Sequence, residues 1–297
     1  MKRTKQGKNI TVEFESIDDL SVYLRENIRP GSYTRQKPAS DWCNWTYDEA
    51  LVLLENGWID GISQMDVMAR QIEGQGEGEQ VYVKYDVYGD FFNVGRFMSG
   101  EPECCGQFRK RKVKQGEVNV LVNVTAYGYA PAQILINRGA AIQALIDKLL
   151  ETHYVNLQFI ESARDCMGYD VTSTVNVDTR NHYSREAIAF LCGNPAYLRK
   201  IIFIVDEVET GNDDCMGHGC CKALTDEQLK GIDIYFPEIN SSTEESKWET
   251  VESCKENVEK AVQKIAGNSE NSENTGNTRY ELPPPPKPAV SGVYGSR

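Results

Sequence analysis

The chain of 297 residues contains no run of about eighteen consecutive apolar residues, so no membrane-spanning helix and no membrane partner are expected. The opening MKRTKQGKNITVEF is basic but has no apolar stretch, so it does not read as a secretory leader. Histidine is scarce, with three residues. No serine or cysteine nucleophile elbow accompanies His153 or His182, which argues against hydrolysis by a triad. A glycine-rich phosphate loop is also missing: Ala126-Tyr-Gly-Tyr-Ala-Pro131 holds a single glycine. Positive charge is in deficit, the net charge being −12, which disfavours a general nucleic-acid coat. The nine cysteines are an odd number in a chain without a leader, which suggests reduced thiols in a cytosol.

What is present is organised around residues 118–160. Val118, Val120, Val122 and Val124 alternate with Asn119, Leu121, Asn123 and Thr125, the period of a strand. Asn137-Arg-Gly139 reads as the start of a helix with Asn137 as N-cap. Ala141, Leu145 and Leu149, with Ile142, Ile146 and Leu150, give it an apolar side. Tyr154 to Ile160 reads as a second strand. Strand, helix and strand of this length make a right-handed unit with parallel strands. Such a sheet needs cover on both faces.

Around this unit the chain reads as a single α/β domain over residues 10–240, with a mixed, mainly parallel sheet flanked by helices and a sub-boundary near 73–80. Residues 1–9 read as a flexible lead-in. A strand–helix preface follows, Ile10 to Phe14 and then a helix capped by Ser16. Thr46-Tyr-Asp-Glu49 is a capping box, and its helix closes at Gly57. Further helices are expected over 62–72 and after Ser184. Strands are expected at Val81–Tyr88, Ile201–Val205 and Ile232–Phe236, with Val171, Val175 and Val177 able to pair with the sheet. Gly89 to Cys105 reads as a loop or a partly covered segment. Residues 241–266 form a charged helical segment. Residues 267–297, with Asn/Ser/Gly repeats and Pro283 to Pro286, cannot bury enough apolar surface to order themselves and read as a disordered tail.

Three segments together resemble an uncharacterised domain family of tailed-phage and prophage proteins. They are Val12-Glu-Phe14 with Asp19-Leu20 and Tyr23-Leu24; Thr46 to Ala50 with Asn56-Gly-Trp58 and Gly61; and Asn137 to Ala141 with Ala144-Leu145 and Asn194 to Arg199. The resemblance spans roughly residues 10–240. It implies a phage or mobile-element origin, hence a bacterial host cytoplasm or a virion, and brings no established activity. The layout also resembles the von Willebrand factor A class of α/β fold. That class would imply an Asp-x-Ser-x-Ser metal motif after the first core strand. Here the loop is Asn123-Val-Thr125-Ala-Tyr127, so the carboxylate that a hard cation wants is missing.

Three constellations are candidates for chemistry. Cys215, His218, Cys220 and Cys221 carry thiolates and an imidazole that could reach tetrahedral zinc, with Cys104 and Cys105 able to complete the set across space. Their spacing matches no standard finger, and the simpler reading is a loop with free thiols, so no cofactor is assigned. Arg109, Lys110, Arg111, Lys112 and Lys114 form a basic run that could meet phosphates, with Phe91, Phe92, Phe97 and Phe108 nearby to stack bases. Its simpler reading is a solvated edge. Asn123, Thr125, Arg138, Asp206 and Glu207 would line a cleft at the carboxyl ends of the strands, where open α/β sheets hold ligands. Too few carboxylates converge there for a metal-dependent nuclease. The balance favours a non-catalytic phage-type protein that binds a protein partner, with a nucleic-acid binder or a metal-dependent hydrolase as alternatives.

Overall fold

The computed structural model describes residues 1–273 apart from 41–42, 73–78, 90, 113–115, 166, 181–183 and 213–220. Its main sheet has six strands: β1 (Lys2–Gln6), β2 (Asn9–Phe14), β6 (Glu117–Asn123), β7 (Tyr154–Arg164), β8 (Asp170–Asp178) and β9 (Ile234–Phe236), in the order β1-β2-β8-β7-β6-β9. Three of its five pairings are parallel: β2 with β8, β6 with β7, and β6 with β9. A second sheet has the order β3-β5-β4, built from β3 (Glu79–Asp86), β4 (Phe91–Phe92) and β5 (Cys105–Lys112).

The helices follow from their caps and faces. In α1 (Ile17–Asn27), Ser16 Oγ accepts from Asp19 N at 3.1 Å. In α3 (Tyr47–Asn56), the Thr46/Glu49 capping box is complete and Gly57 closes the helix at φ +83°. Ser184 caps α7 (Arg185–Gly193) in the same way. Between them lie the short α2 (Tyr33–Gln36) and α4 (Ile59–Ile72), and α5 (Val94–Met98) connects β4 to β5 of the second sheet. The long α6 (Ala132–Thr152) buries Ala141, Ile142, Leu145 and Ile146. A π-helical turn, Tyr197–Ile202, runs into α8 (Phe203–Thr210). The chain continues through α9 (Ser242–Ser246) and α10 (Val251–Glu273). The expected tail from residue 274 onward lies outside the described residues.

Several expectations are corrected. Residues 2–6 are a strand, paired antiparallel to β2. Gly89 to Cys105, expected as a loop or a partly covered segment, contains β4 and α5. Ser162 to Thr174, expected as a loop ending in a short strand, instead extends β7 to Arg164 and opens β8, antiparallel to it. Helix α6 starts five residues before Asn137, with Pro131 at its N-cap. Asn137 instead donates to the Trp248 carbonyl at 3.0 Å. Ile201–Val205, expected as a strand, is helical, because a short unbroken apolar run fits a buried helix as well as a buried strand. Helix α7 and the π-helical segment with α8 are apolar enough together to span a membrane but bend by 73°; no single helix among the described residues is long and apolar enough.

One face of the sheet is apolar. Val118, Val120, Val122, Val155, Leu157, Phe159, Val175, Ile10, Val12 and Phe14 are buried there under the helices. The other face carries Asn119, Asn156, Gln158, Thr172, Thr174 and Asn176, half-buried, in place of the apolar residues that a second covering layer would bury. Only toward Leu121 and Ile160 is that face closed over.

Helix α6 crosses α7 at two glycines. A Cβ on Gly139 would sit 2.3 Å from the Gly193 Cα and 2.7 Å from its nitrogen. Backbone cannot yield as a side chain can, so Gly139→Ala is expected to cost about 2–3 kcal/mol through forced separation of the helices. Gly193→Ala meets the end of the flexible Met65 side chain instead and should cost less. Denaturant midpoints of the two variants check the order; equal midpoints would contradict it.

Candidate functional site: a sealed acidic cluster and an exposed apolar surface

The five residues expected at the strand ends divide into separate places. Asn123, Thr125 and Arg138 come together. Thr125 donates to Asn123 Oδ1 from its backbone nitrogen at 3.1 Å and from its hydroxyl at 2.7 Å. Ser162 N donates to Thr125 Oγ1 at 3.1 Å. The Arg138 guanidinium donates to the carbonyls of Asn123, Phe236 and Pro237 at 2.9, 3.2 and 2.7 Å, and lies 5.8 Å from the Trp248 ring. It is 2% exposed, and loss of solvation pushes its pKa down to about 10, still charged at neutral pH. Three carbonyls therefore hold it as a bolt between the ends of β6 and β9. It lies inside α6, about two turns from the helix start.

Asp206 and Glu207 sit in α8, away from those three. Glu207 accepts from Ser32 Oγ at 2.5 Å, from Thr34 N at 2.9 Å and from the Thr34 hydroxyl, fixing the turn that begins α2. Asp206 turns into the core. There it meets a residue the sequence reading missed, Glu161 on β7. Val155, Leu157, Phe159 and Glu161 alternate onto the buried face, so the strand period places this carboxyl in the core, and that signal was present in the sequence. Ser173 is its direct cross-strand neighbour.

Both carboxyl oxygens of Glu161, both of Asp206, and the hydroxyls of Ser173 and Tyr197 are buried without a hydrogen-bond partner among the described residues. Glu161 is 1% and Asp206 0% exposed. Burial raises the Glu161 pKa to about 8. Burial first, and then the charge of Glu161, raises Asp206 well above the ordinary carboxylate range. Tyr197 is raised as well, by burial and then by Glu161. Like charges in a low-dielectric site cannot both persist, so the pair holds at least one proton at neutral pH. Tyr197 belongs to the π-helical turn, a distortion that recurs at functional positions. As acid and base these groups have the right chemistry, yet at this burial they face no solvent from which a substrate could reach them.

The thiol cluster is not assembled among the described residues. Cys215, His218 and Cys220 lie outside them, as does His182. Cys221 bridges to Ala163 near the C-terminal end of β7 in the main sheet, whereas Cys105 opens β5 of the second sheet and Cys104 precedes it. The described residues contain no group of three or more His, Cys, Asp or Glu suited to a metal ion.

The basic run is a strand. Arg109, Lys110, Arg111 and Lys112 lie in β5, with Cα partners Tyr82, Val81, Gln80 and Glu79 on β3; Lys114 lies outside the described residues. The same sheet carries an exposed apolar surface that runs from the end of the expected strand Val81–Tyr88 into the segment expected as a loop or partly covered. Six of the fourteen large apolar side chains exposed among the described residues fall between Val87 and Met98: Val87, Tyr88, Phe92, Val94, Phe97 and Met98. The segment is held in shape. Asn93 caps α5 and donates to the Tyr85 hydroxyl at 2.9 Å, and Arg96 stacks over the Tyr85 ring at 4.4 Å while pairing with Glu101. The Phe92 and Phe97 rings lie 5.2 Å apart.

The chain is thus a mixed, mostly parallel α/β-sheet protein with a sealed acidic core and an ordered apolar surface on a second small sheet. Residues 2–264 match the Domain of unknown function (DUF7192), and the chain belongs to that family. No curated protein and no solved structure matches it.

Proposed function

We propose that this is a non-catalytic protein that works by macromolecular interaction through its small sheet. The observation that carries this reading is the run of exposed apolar side chains from Val87 to Met98, a concentration that monomeric surfaces rarely keep without a partner. The partner that fits is a protein with an apolar contact surface and an acidic border. Four cations of β5 follow directly in the same sheet, on a chain whose net charge is −12. The resemblance to tailed-phage and prophage domains supports a virion or assembly component of a phage or mobile element, placed in the bacterial host cytoplasm or the virion. The likeness to the von Willebrand factor A layout suits a binding role of this kind and supplies no metal motif.

Tyr88 and Met98 are 81% and 78% exposed, so replacing both by Lys should leave the melting temperature within about 1 °C. The same double variant should abolish binding to the protein partner when the products of neighbouring genes are co-expressed with the chain and isolated with it. Unchanged binding by the variant rejects this surface. Retention on DNA at low salt, lost when Arg109, Lys110 and Arg111 become Ser, would replace the proposal with a nucleic-acid role for β5.

A further inference from the structure

We propose that the polar face of the main sheet is a binding site for a neutral saccharide, independent of the small sheet. Asn119 on β6, Asn156 and Gln158 on β7, and Asn176 on β8 occupy neighbouring positions on three adjacent strands. Asn119 stands opposite Asn156, and Gln158 opposite Asn176. Asparagine is depleted in strands, because its side chain competes for the backbone and packs poorly on a pleat. Four amides side by side in the middle of a sheet break the local rule together, and such breaks are expected where function requires them. A sheet face that only meets water is served as well by threonine, lysine or glutamate.

The amides are also ordered. Asn156 Nδ2 donates to Asn119 Oδ1 at 2.9 Å, and Gln158 Nε2 to Asn176 Oδ1 at 2.7 Å. Asn176 Nδ2 donates to Glu13 Oε1 at 3.1 Å and to the Phe14 carbonyl at 3.0 Å. Each bond fixes the plane of an amide and settles which end is oxygen. A primary amide has two N–H donors and a carbonyl with two lone pairs, so Gln158, with one hydrogen engaged, keeps both donor and acceptor capacity.

These residues line a groove of about 500 Å³, within the range of small-molecule sites. Glu15, Asp178 and Arg180 share its lining, and Arg180 is paired with Glu117 at 2.5 Å, so the groove carries an excess of negative charge. Arg180 donates to Asn156 Oδ1 at 3.2 Å and lies 5.8 Å from the ring of Tyr154, a tyrosine 44% exposed and two residues before Asn156 on the same face of β7.

The chemistry selects the ligand. A sugar hydroxyl donates and accepts at once, and an amide offers both functions in one plane. Carboxylates and ammonium groups offer only one. The excess of carboxylates disfavours a phosphate or another anion, and the four uncharged amides suit a neutral, hydroxyl-rich ligand.

The test is isothermal titration of the full chain with N-acetylglucosamine, chitotriose, maltotriose and lactose, each into the millimolar range. Inorganic phosphate and a neutral extended peptide are titrated alongside. At least one saccharide should bind, and Asn156→Thr or Gln158→Thr should weaken it at least about tenfold. Both replacements favour strands, so the melting temperature should not fall. Side-chain amide resonances of Asn and Gln should shift on binding in the wild type. Binding that survives both replacements overturns the proposal. So does a response only to phosphate or peptide, or none to any saccharide.

Discussion

Replacing Glu161 by Gln should stabilise the protein above neutral pH. The buried pair of Glu161 and Asp206 keeps a proton in the folded state up to about pH 8, whereas the unfolded chain releases it near the ordinary carboxylate value of 4.5. A group whose pKa is raised by folding contributes its full stability below the unfolded pKa. That contribution is lost as pH rises through the folded pKa. Stability should therefore decline from about pH 4.5 to about pH 8 through Glu161, by about 4 kcal/mol. While burial still acts on Asp206, Glu161→Gln keeps the shape and removes the Glu161 titration. Its melting temperature should exceed that of the wild type by several degrees at pH 8 and converge with it near pH 5. Asp206→Asn should behave alike. The double variant should add to either single one, because burial, the leading cause of both shifts, still acts on the carboxyl that remains. A wild-type melting temperature flat across this window, or a less stable Glu161→Gln protein at pH 8, would remove the buried proton from the account.

Arg138→Ala carries the largest expected loss. It would strip three carbonyl acceptors of their common donor and leave a cavity between α6 and the ends of β6 and β9. Breaking such a buried charged contact costs about 3–5 kcal/mol. In a chain of this size that lowers the melting temperature by about 10 °C. The experiment separates two roles for the residue. As a bolt, it must cost stability when removed, and no added anion should protect the wild type. An Arg138→Ala protein that melts with the wild type would make the guanidinium a spare group, kept for a ligand.

The sequence made some of this visible for physical reasons. Strand β6 announces itself because its valines face a core and its intervening residues do not, and Ser16, Thr46 and Ser184 cap helices whose first turns need local acceptors. The errors have an equally definite origin. Asn137 sits where a cap would be plausible, but Pro131 has already ended the loop, and the amide is used to reach Trp248. Ile201–Val205 has no periodicity to separate strand from helix. That single error put Asp206 and Glu207 at a strand end and made a cleft of residues that lie apart. Pairings such as β7 with β8 depend on distant partners, so no local signal sets their direction. The apolar surface between Val87 and Met98 was unreadable for a different cause: aromatic residues at that spacing usually mark a core, and only exposure distinguishes the two cases.

The order of strands in the main sheet also bears on how the chain comes to be folded. β2 is the second strand made, yet it lies between β1 and β8, with Ile10 against Val171. During synthesis its inner edge must wait, hydrogen-bonding groups unpaired, until the polypeptide has grown past residue 170. β6 waits in turn for β9. Nucleation through such distant segments is slow, because loop closure costs entropy before the contacts offset it. A nascent chain halted before β8 would present a half-built sheet edge, the kind of surface that chaperones bind and that aggregates recruit.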